Sequence, residues 1–218
     1  HEASGVVSKV GPGVTDLKPG DHVIVTLIRS CGNCHYCTQG DRVRCETVFP
    51  LDEKTPLLTS GGKPIVQGLR TGAFAESVVV DSSQIAPIPQ DIPLDIASLL
   101  SCGVITGFGA VVNTAKIKSG SSVVVLGTGG VGLNSVQGAK IAGAERIIAL
   151  DISGNLHGLN IEQFITGSIT DKKLLEKIFN ENTIDTVYHL AAILSSKAEL
   201  NQKLAYDVNV NGSKNIIN

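Results

Sequence analysis

The chain has 218 residues, a formal net charge of −2 and 42% apolar residues. That length allows one or two domains and that composition an ample core, while the small charge gives no general pull toward nucleic acid or a membrane surface. No apolar run reaches the length of a membrane span and no secretory signal is visible, so a cytoplasmic protein with no nucleic-acid or membrane partner is expected.

Methionine is absent, the chain opens on His1-Glu2 inside an apparent motif, and it closes on Lys214-Asn215-Ile216-Ile217-Asn218 inside an apparent helix. Both ends are therefore expected to be cut from something longer. Residues 1–95 read as mostly β. Glu2–Gly11 alternates apolar and polar residues and ends in Gly11-Pro12-Gly13. A turn at Lys18-Pro19-Gly20 leads into a strand from His22, and Gly72–Pro89 supplies two further short strands. Short strands divided by glycine and proline turns predict a barrel-like domain. Leu51–Gly68 is polar and irregular and reads as a surface loop.

Within this β region lie Cys31, Cys34, Cys37 and Cys45, separated by two, two and seven residues. Four thiolates this close can surround one tetrahedral Zn²⁺, and with four protein ligands the site would be closed and structural. A disulfide framework is the weaker reading, because there is no secretory signal and the cysteine total of 5 is odd. An iron–sulfur cluster would favour another fourth spacing, often followed by proline, whereas Glu46 follows Cys45. Residues 92–118 read as helical, and the fifth cysteine, Cys102, taken alone reads as an inert core residue.

Residues 121–151 are the stretch around which the rest is arranged. Val123–Leu126 form a short apolar run suited to a strand buried on both faces. Gly127, Gly129 and Gly132 follow in the spacing G-x-G-x-x-G, and a helix comes next, with Val131, Ser135, Ala139 and Ala142 on one side and Gly143 at its end. A strand from Arg146 to Leu150 then delivers Asp151. Gly127 permits the tight turn, Gly129 lets a pyrophosphate reach the backbone, and Gly132 lets helix and strand pack closely. The helix start, including Gly130 and Val131, offers free N–H groups to phosphate. Asp151 stands nineteen residues after Gly132, where its carboxylate can accept the ribose hydroxyls of NAD and would repel a 2′-phosphate. The bland alternative is a glycine-rich turn that binds nothing.

Beyond Asp151, Phe164-Ile165 reads as a short strand and Gly167–Asp171 as a turn. Asp171 caps a helix with Leu174, Leu175 and Ile178 inward, Thr186–Leu190 is another strand, Ala191-Ala192 opens a loop, and the chain is helical again from about Asn201. His22, His35, His157 and His189 have no ligand partner at a convincing spacing and read as surface or satisfied core residues.

On these motifs residues 1 to about 152 resemble the zinc-dependent medium-chain alcohol dehydrogenases. The segment from His1 to Val7 resembles the one that carries a catalytic zinc ligand, which implies His1 as ligand and Glu2 as its neighbour. The four cysteines match the family's structural zinc. Residues 101–116 resemble the segment bearing a cysteine ligand of the catalytic zinc, which implies Cys102, and Thr106 falls where that family contacts nicotinamide. The first catalytic cysteine and the proton relay would precede His1. From about residue 153 the chain instead resembles extended short-chain dehydrogenases and epimerases, in particular those of the L-threonine dehydrogenase type, on Thr186–Ala192 and Asp207–Ile217. That likeness implies Leu190, Ala191 and Ala192 against the nicotinamide ribose and Asn209 as the asparagine of the N-x-x-G-[ST] helix; Ser168 replaces an acid the family uses near adenine.

The expected fold is α/β: a partial GroES-like β-barrel domain over 1–95, with the cysteine lobe at 31–45, followed by an incomplete Rossmann doubly wound parallel sheet over 96–218, chimeric after about 152, with strand order 3-2-1-4. The resemblance implies an NAD- and zinc-dependent oxidation of a small alcohol to its aldehyde, reduced or lost in a fragment. The alternatives are a non-catalytic module that binds NAD and zinc, and a short-chain epimerase or threonine dehydrogenase. An open apolar edge on the fourth strand predicts pairing into a homo-oligomer or poor solubility.

Overall fold

Three short strands form the sheet of the amino-terminal unit. The computed structural model describes residues 1–55, 57–154, 159 and 161–218, so His157 lies outside the described residues. The chain divides into two compact units, His1–Gly103 and Val104–Asn218. In the first, β1 (Ala3–Val6), β2 (His22–Val25) and β3 (Ile85–Pro87) pair antiparallel in the order β1-β2-β3. The centre of this sheet is Val23, Ile24 and Val25, all buried, which suits β-branched side chains flanked by a strand on each side. Helix α1 (His35–Thr38) and a 3₁₀ turn at Arg42–Arg44 shape the cysteine lobe.

Two expectations for this unit need correction. Residues 72–80 form no strand: Phe74 is fully exposed and Val79 largely so, and neither meets a pairing partner among the described strands. The segment from Leu51 is not wholly irregular either. Helix α2 (Pro50–Glu53) opens it, with Asp52 Oδ2 accepting the Phe49 N–H at 3.2 Å, and Leu58 bridges to Pro64.

The helical stretch near 92–118 is broken in the middle. Helix α3 (Leu94–Ala97) runs into a 3₁₀ turn at Ser98–Ser101. Cys102 then leaves the helical region at φ −145°, ψ −72°, and α4 (Gly103–Gly109) resumes into a π-helical turn at Ala110–Ala115. Lys116, left-handed at φ 49° and ψ 49°, ends it.

The second unit is a four-stranded parallel sheet in the order β6-β5-β4-β7, the 3-2-1-4 order read from the sequence. Its strands are β4 (Ser122–Leu126), β5 (Arg146–Asp151), β6 (Gln163–Thr166) and β7 (Thr186–His189). Both faces are covered, which explains why β4 is apolar without alternation. Val123, Val125, Ile147, Ala149 and Tyr188 pack with Val136 and Ala139 of helix α5 (Gly130–Ile141). Val124, Leu126, Ile148 and Leu150 pack with Leu175 and Ile178 of helix α6 (Lys172–Glu181).

The helix ends follow local rules. Gly143, at φ 87°, donates to Lys140 O at 3.1 Å and Ala144 to Ala139 O at 2.9 Å, so α5 stops on a Schellman turn. Asp171 Oδ1 accepts the Leu174 N–H at 3.1 Å and caps α6. Helix α7 (Ser195–Leu200) lies where no element is expected from the sequence. Beyond it, α8 (Gln202–Tyr206), a π-helical turn at Asp207–Gly212 and α9 (Ser213–Ile217) follow in succession.

Candidate functional site

The carboxyl ends of β4, β5 and β7 lie side by side, with Leu126 in register with Leu150 and with His189. The three loops leaving these ends hold the residues singled out for a dinucleotide: Gly127–Gly132, Asp151–Ser153 and Leu190–Ala192. The chain order reverses between β4 and β7, which is where ligands enter open α/β sheets.

Gly127 adopts φ 94°, and a side chain there would run into the backbone of Leu190 and Ala191. Gly132 packs against the Gly127 carbonyl so closely that no methyl group fits. Gly129 and Gly130 differ: both are exposed, and added side-chain atoms would meet nothing within 4 Å. The loop is thus tight where helix meets strand and open where a diphosphate would approach. Gly129 is the N-cap residue of α5 and has no side chain to satisfy the first N–H groups of the helix.

Asp151 closes this loop from the end of β5. Its Oδ2 accepts the Thr128 N–H at 2.6 Å and its Oδ1 the Ser153 N–H at 3.1 Å. The bond to Thr128 links the acid to the glycine loop and is not visible in the spacing alone. Carboxylate oxygens have further lone pairs, so ribose hydroxyls can still be accepted. Leu190 N donates to Leu126 O at 2.8 Å, Leu190 packs on one face of the sheet and Ala191 on the other, and Ala192 is exposed.

Asn209, in the π-helical turn, clamps the same loop: its Oδ1 accepts the Ile193 N–H at 2.8 Å and its Nδ2 donates to Ile193 O at 2.9 Å. Ser213 Oγ donates to Asn209 O at 2.7 Å and lies 2.7 Å from His189 Nε2. His189, exposed at the end of β7, is tied into this network through Ser213, and its partial burial lowers its pKa. Ser168, by contrast, turns to its own loop, with Thr170 Oγ1 2.9 Å away.

The four cysteine sulfurs lie within 4.8 Å of one another. Cys31 and Cys37 Sγ are 4.0 Å apart and Cys34 and Cys45 Sγ 3.9 Å. The edge of a tetrahedron with Zn–S bonds of about 2.3 Å is about 3.8 Å, so the donor set fits zinc as it stands. None of the four is in a disulfide. Cys31 Sγ accepts the Cys34 N–H at 3.2 Å and Cys45 Sγ the Cys31 N–H at 3.3 Å, bonds that favour thiolate. The Thr47 hydroxyl and the Asn33 N–H hold the Cys31 thiol down at about 6, and the N–H groups of Cys31 and Thr47 lower Cys45. Burial pushes Cys37 up to about 11.

His1 Nε2 and Cys102 Sγ, 101 positions apart in sequence, lie 3.2 Å from each other. Glu2 Oε1 accepts the Gly103 N–H at 2.9 Å, directly beside Cys102. The kink that interrupts the helix at Cys102 turns this half-buried cysteine to His1. Thr106 lies one turn along α4, on an exposed face. His22 is half-buried with Nδ1 unpartnered, and His35 is exposed on α1.

Two family models match different parts of the chain. Residues 1–90 match the alcohol dehydrogenase GroES-like domain, and residues 123–218 match the NAD dependent epimerase/dehydratase family. Among curated proteins, alcohol dehydrogenase class-P of Arabidopsis thaliana is 40% identical over 193 residues, covering 84% of this chain and 51% of that protein. Alcohol dehydrogenase class-3 of Pisum sativum is 42% identical over 192 residues, covering 83% and 50%. Shares of this size exceed what residues 1–152 can supply, so the alcohol dehydrogenase likeness runs past the point where the second resemblance begins. The chain spans about half the length of the curated relatives it matches.

Solved structures agree on the fold. An alcohol dehydrogenase zinc-binding domain protein from Burkholderia ambifaria is 31% identical with a TM-score of 0.76, covering 95% of this chain and 58% of that one. Benzyl alcohol dehydrogenase from Acinetobacter calcoaceticus is 27% identical with a TM-score of 0.72, covering 95% and 57%. Among the described residues, no single helix is long and apolar enough to cross a membrane.

Proposed function

We propose, for a chain whose residues 1–90 match the alcohol dehydrogenase GroES-like domain and whose residues 123–218 match the NAD dependent epimerase/dehydratase family, that it serves NAD-dependent oxidation of a small primary alcohol to its aldehyde. NAD and zinc are the cofactors that go with these two parts. The observation that supports the reading is the meeting of His1 Nε2 and Cys102 Sγ at 3.2 Å, which brings together an imidazole and a thiol from distant segments, both of them zinc-ligand types.

In this reading Cys31, Cys34, Cys37 and Cys45 hold a structural zinc, and His1 and Cys102 supply ligands to a catalytic one. When bound, catalytic zinc supplies a Lewis acid that lowers the pKa of the alcohol oxygen. Glu2 fixes the Gly103 N–H and so keeps the Cys102 thiol turned to His1. Thr106 is assigned to the nicotinamide. The N–H groups at Gly129, Gly130 and Val131 bind the diphosphate, and the openness of the loop there supports this. Gly127 and Gly132 shape the loop, and Asp151 holds the ribose while disfavouring a 2′-phosphate. Leu190, Ala191 and Ala192 line the ribose on the nicotinamide side.

A second reading has its own support. The match of residues 123–218 to the epimerase/dehydratase family favours a short-chain dehydrogenase acting on L-threonine or a nucleotide-sugar. A third is a module that binds NAD and structural zinc without turnover. NAD reduction with a panel of primary alcohols, beside L-threonine and nucleotide-sugar controls and a metal count, separates the three. Two zinc per chain, with reduced turnover of a primary alcohol, is expected. One zinc and no turnover would leave the module, and activity with L-threonine or a nucleotide-sugar alone would leave the second reading.

A further inference from the structure

Arg29 is a charged residue with only 3% of its surface exposed, and none of the roles above uses it. Its Nε donates to Gln84 Oε1 at 2.7 Å, its Nη1 to Asp52 Oδ1 at 2.8 Å and its Nη2 to Arg70 O at 3.3 Å. The guanidinium also stacks over Phe49, 5.7 Å from the ring centroid. Gln84, itself 1% exposed, donates to Thr26 O at 2.8 Å and to Arg70 O at 3.1 Å. Arg70 and its neighbour Leu69 sit in the left-handed region at φ 62° and 51°, a conformation costly for such side chains, and the Arg70 carbonyl accepts from both Arg29 and Gln84.

The position of these groups in the chain gives the network its meaning. Arg29 stands two residues before Cys31, while Phe49 and Asp52 stand four and seven residues after Cys45. The ion pair therefore closes the neck of the cysteine lobe. The lobe has little core of its own: of the residues in α1 and in the 3₁₀ turn that follows it, Cys37 alone is buried. With no apolar interior to set its shape, the spacing of its thiols depends on the metal and on how its two ends are held. Fixing both ends removes much of the chain entropy that a metal would otherwise have to overcome in gathering four sulfurs.

We propose that Arg29, paired with Asp52, is a positioning residue for the metal of the four-cysteine lobe: it acts through the neck, not on the metal. The proposal rests on reading the lobe as a zinc site. Replacement of a buried ion pair by apolar groups can leave fold stability unchanged, so melting temperature alone does not decide it. The deciding quantity is how firmly the metal is held.

The test uses the full chain, with zinc release to a chromogenic chelator and Co²⁺ uptake followed by its visible absorption. Arg29→Met and Asp52→Asn are each expected to release zinc at least tenfold faster, with altered Co²⁺ bands, and Asp52→Glu is expected to recover most of the parent rate. Release at the parent rate from Arg29→Met and Asp52→Asn, both folded by circular dichroism, overturns the proposal. If Arg29→Met does not fold, Asp52→Asn decides, because that side chain is 27% exposed and keeps its shape. A parent chain that takes up neither zinc nor Co²⁺ overturns the metal reading and the proposal with it; a parent that loads normally beside unaltered variants overturns the clamp alone.

Discussion

Asp151 uses each carboxylate oxygen for a backbone N–H, one from Thr128 in the glycine loop and one from Ser153. It therefore shapes the loop. Hydrogen bonds to a charged group are worth about 1.5–3 kcal/mol. Asp151→Ala is thus expected to weaken NADH binding by about tenfold to a hundredfold, read by the nucleotide's fluorescence; unchanged affinity would remove Asp151 from the site. His189 carries a pH signature. Burial lowers its pKa in the folded chain, so the unfolded chain binds more protons as the pH falls through the ordinary histidine range. The stability tied to neutral His189 is present above about 6.5 and lost below it. A melting series from pH 8 to pH 5 should fall more steeply for the parent than for His189→Gln, and parallel curves would contradict this.

At the scale of elements, β4 and α5 meet through a glycine loop whose members differ in what limits them. Gly132 faces the Gly127 carbonyl and Gly129 faces open space, at an ordinary φ of −66°. Gly129→Ala should leave the melting temperature close to the parent's and still weaken NADH binding, because its methyl group would stand where the diphosphate approaches. Gly132→Ala should lower the melting temperature as well, because helix and strand must separate to admit it. Paired melting and NADH titrations check both; equal loss of stability in the two variants would mean that Gly129 is structural. The same loop shows what spacing can convey. G-x-G-x-x-G between two strands announces the turn, yet it does not reveal that Thr128 donates to Asp151 or that Ala191 packs against Gly127, because those partners arrive from other strands.

For the whole molecule, the parallel sheet ends on β7, which pairs with β4 on one side among the described strands. Val187 on that strand is 37% exposed. A short apolar edge of this kind invites pairing with another chain. Self-association that rises with concentration is expected in sedimentation, and Val187→Lys should suppress it; a parent that stays monodisperse at high concentration would contradict the expectation. The amino-terminal unit departs more from its sequence reading than the second unit does. Residues 72–80 end in three successive valines, Val78–Val80, yet form no strand, since a β-prone run becomes a strand only where a partner offers its backbone.

What the sequence determined by itself is what local sterics and periodicity encode: the buried run of β4, the glycine turn, the capped start of α6, the grouping of four cysteines within fifteen residues and the 3-2-1-4 order of the sheet. Each depends on residues within a turn or two of one another, or on crossover rules that leave few choices. Only the tertiary structure decided that Cys102 leaves its helix to meet His1, that Asn209 holds the loop at Ile193, and that Arg29 is buried on Asp52 and Gln84. Those pairs span 101, 16, 23 and 55 positions, and nothing in their immediate sequence marks them, because the energy that selects them comes from groups brought close only after the chain has folded.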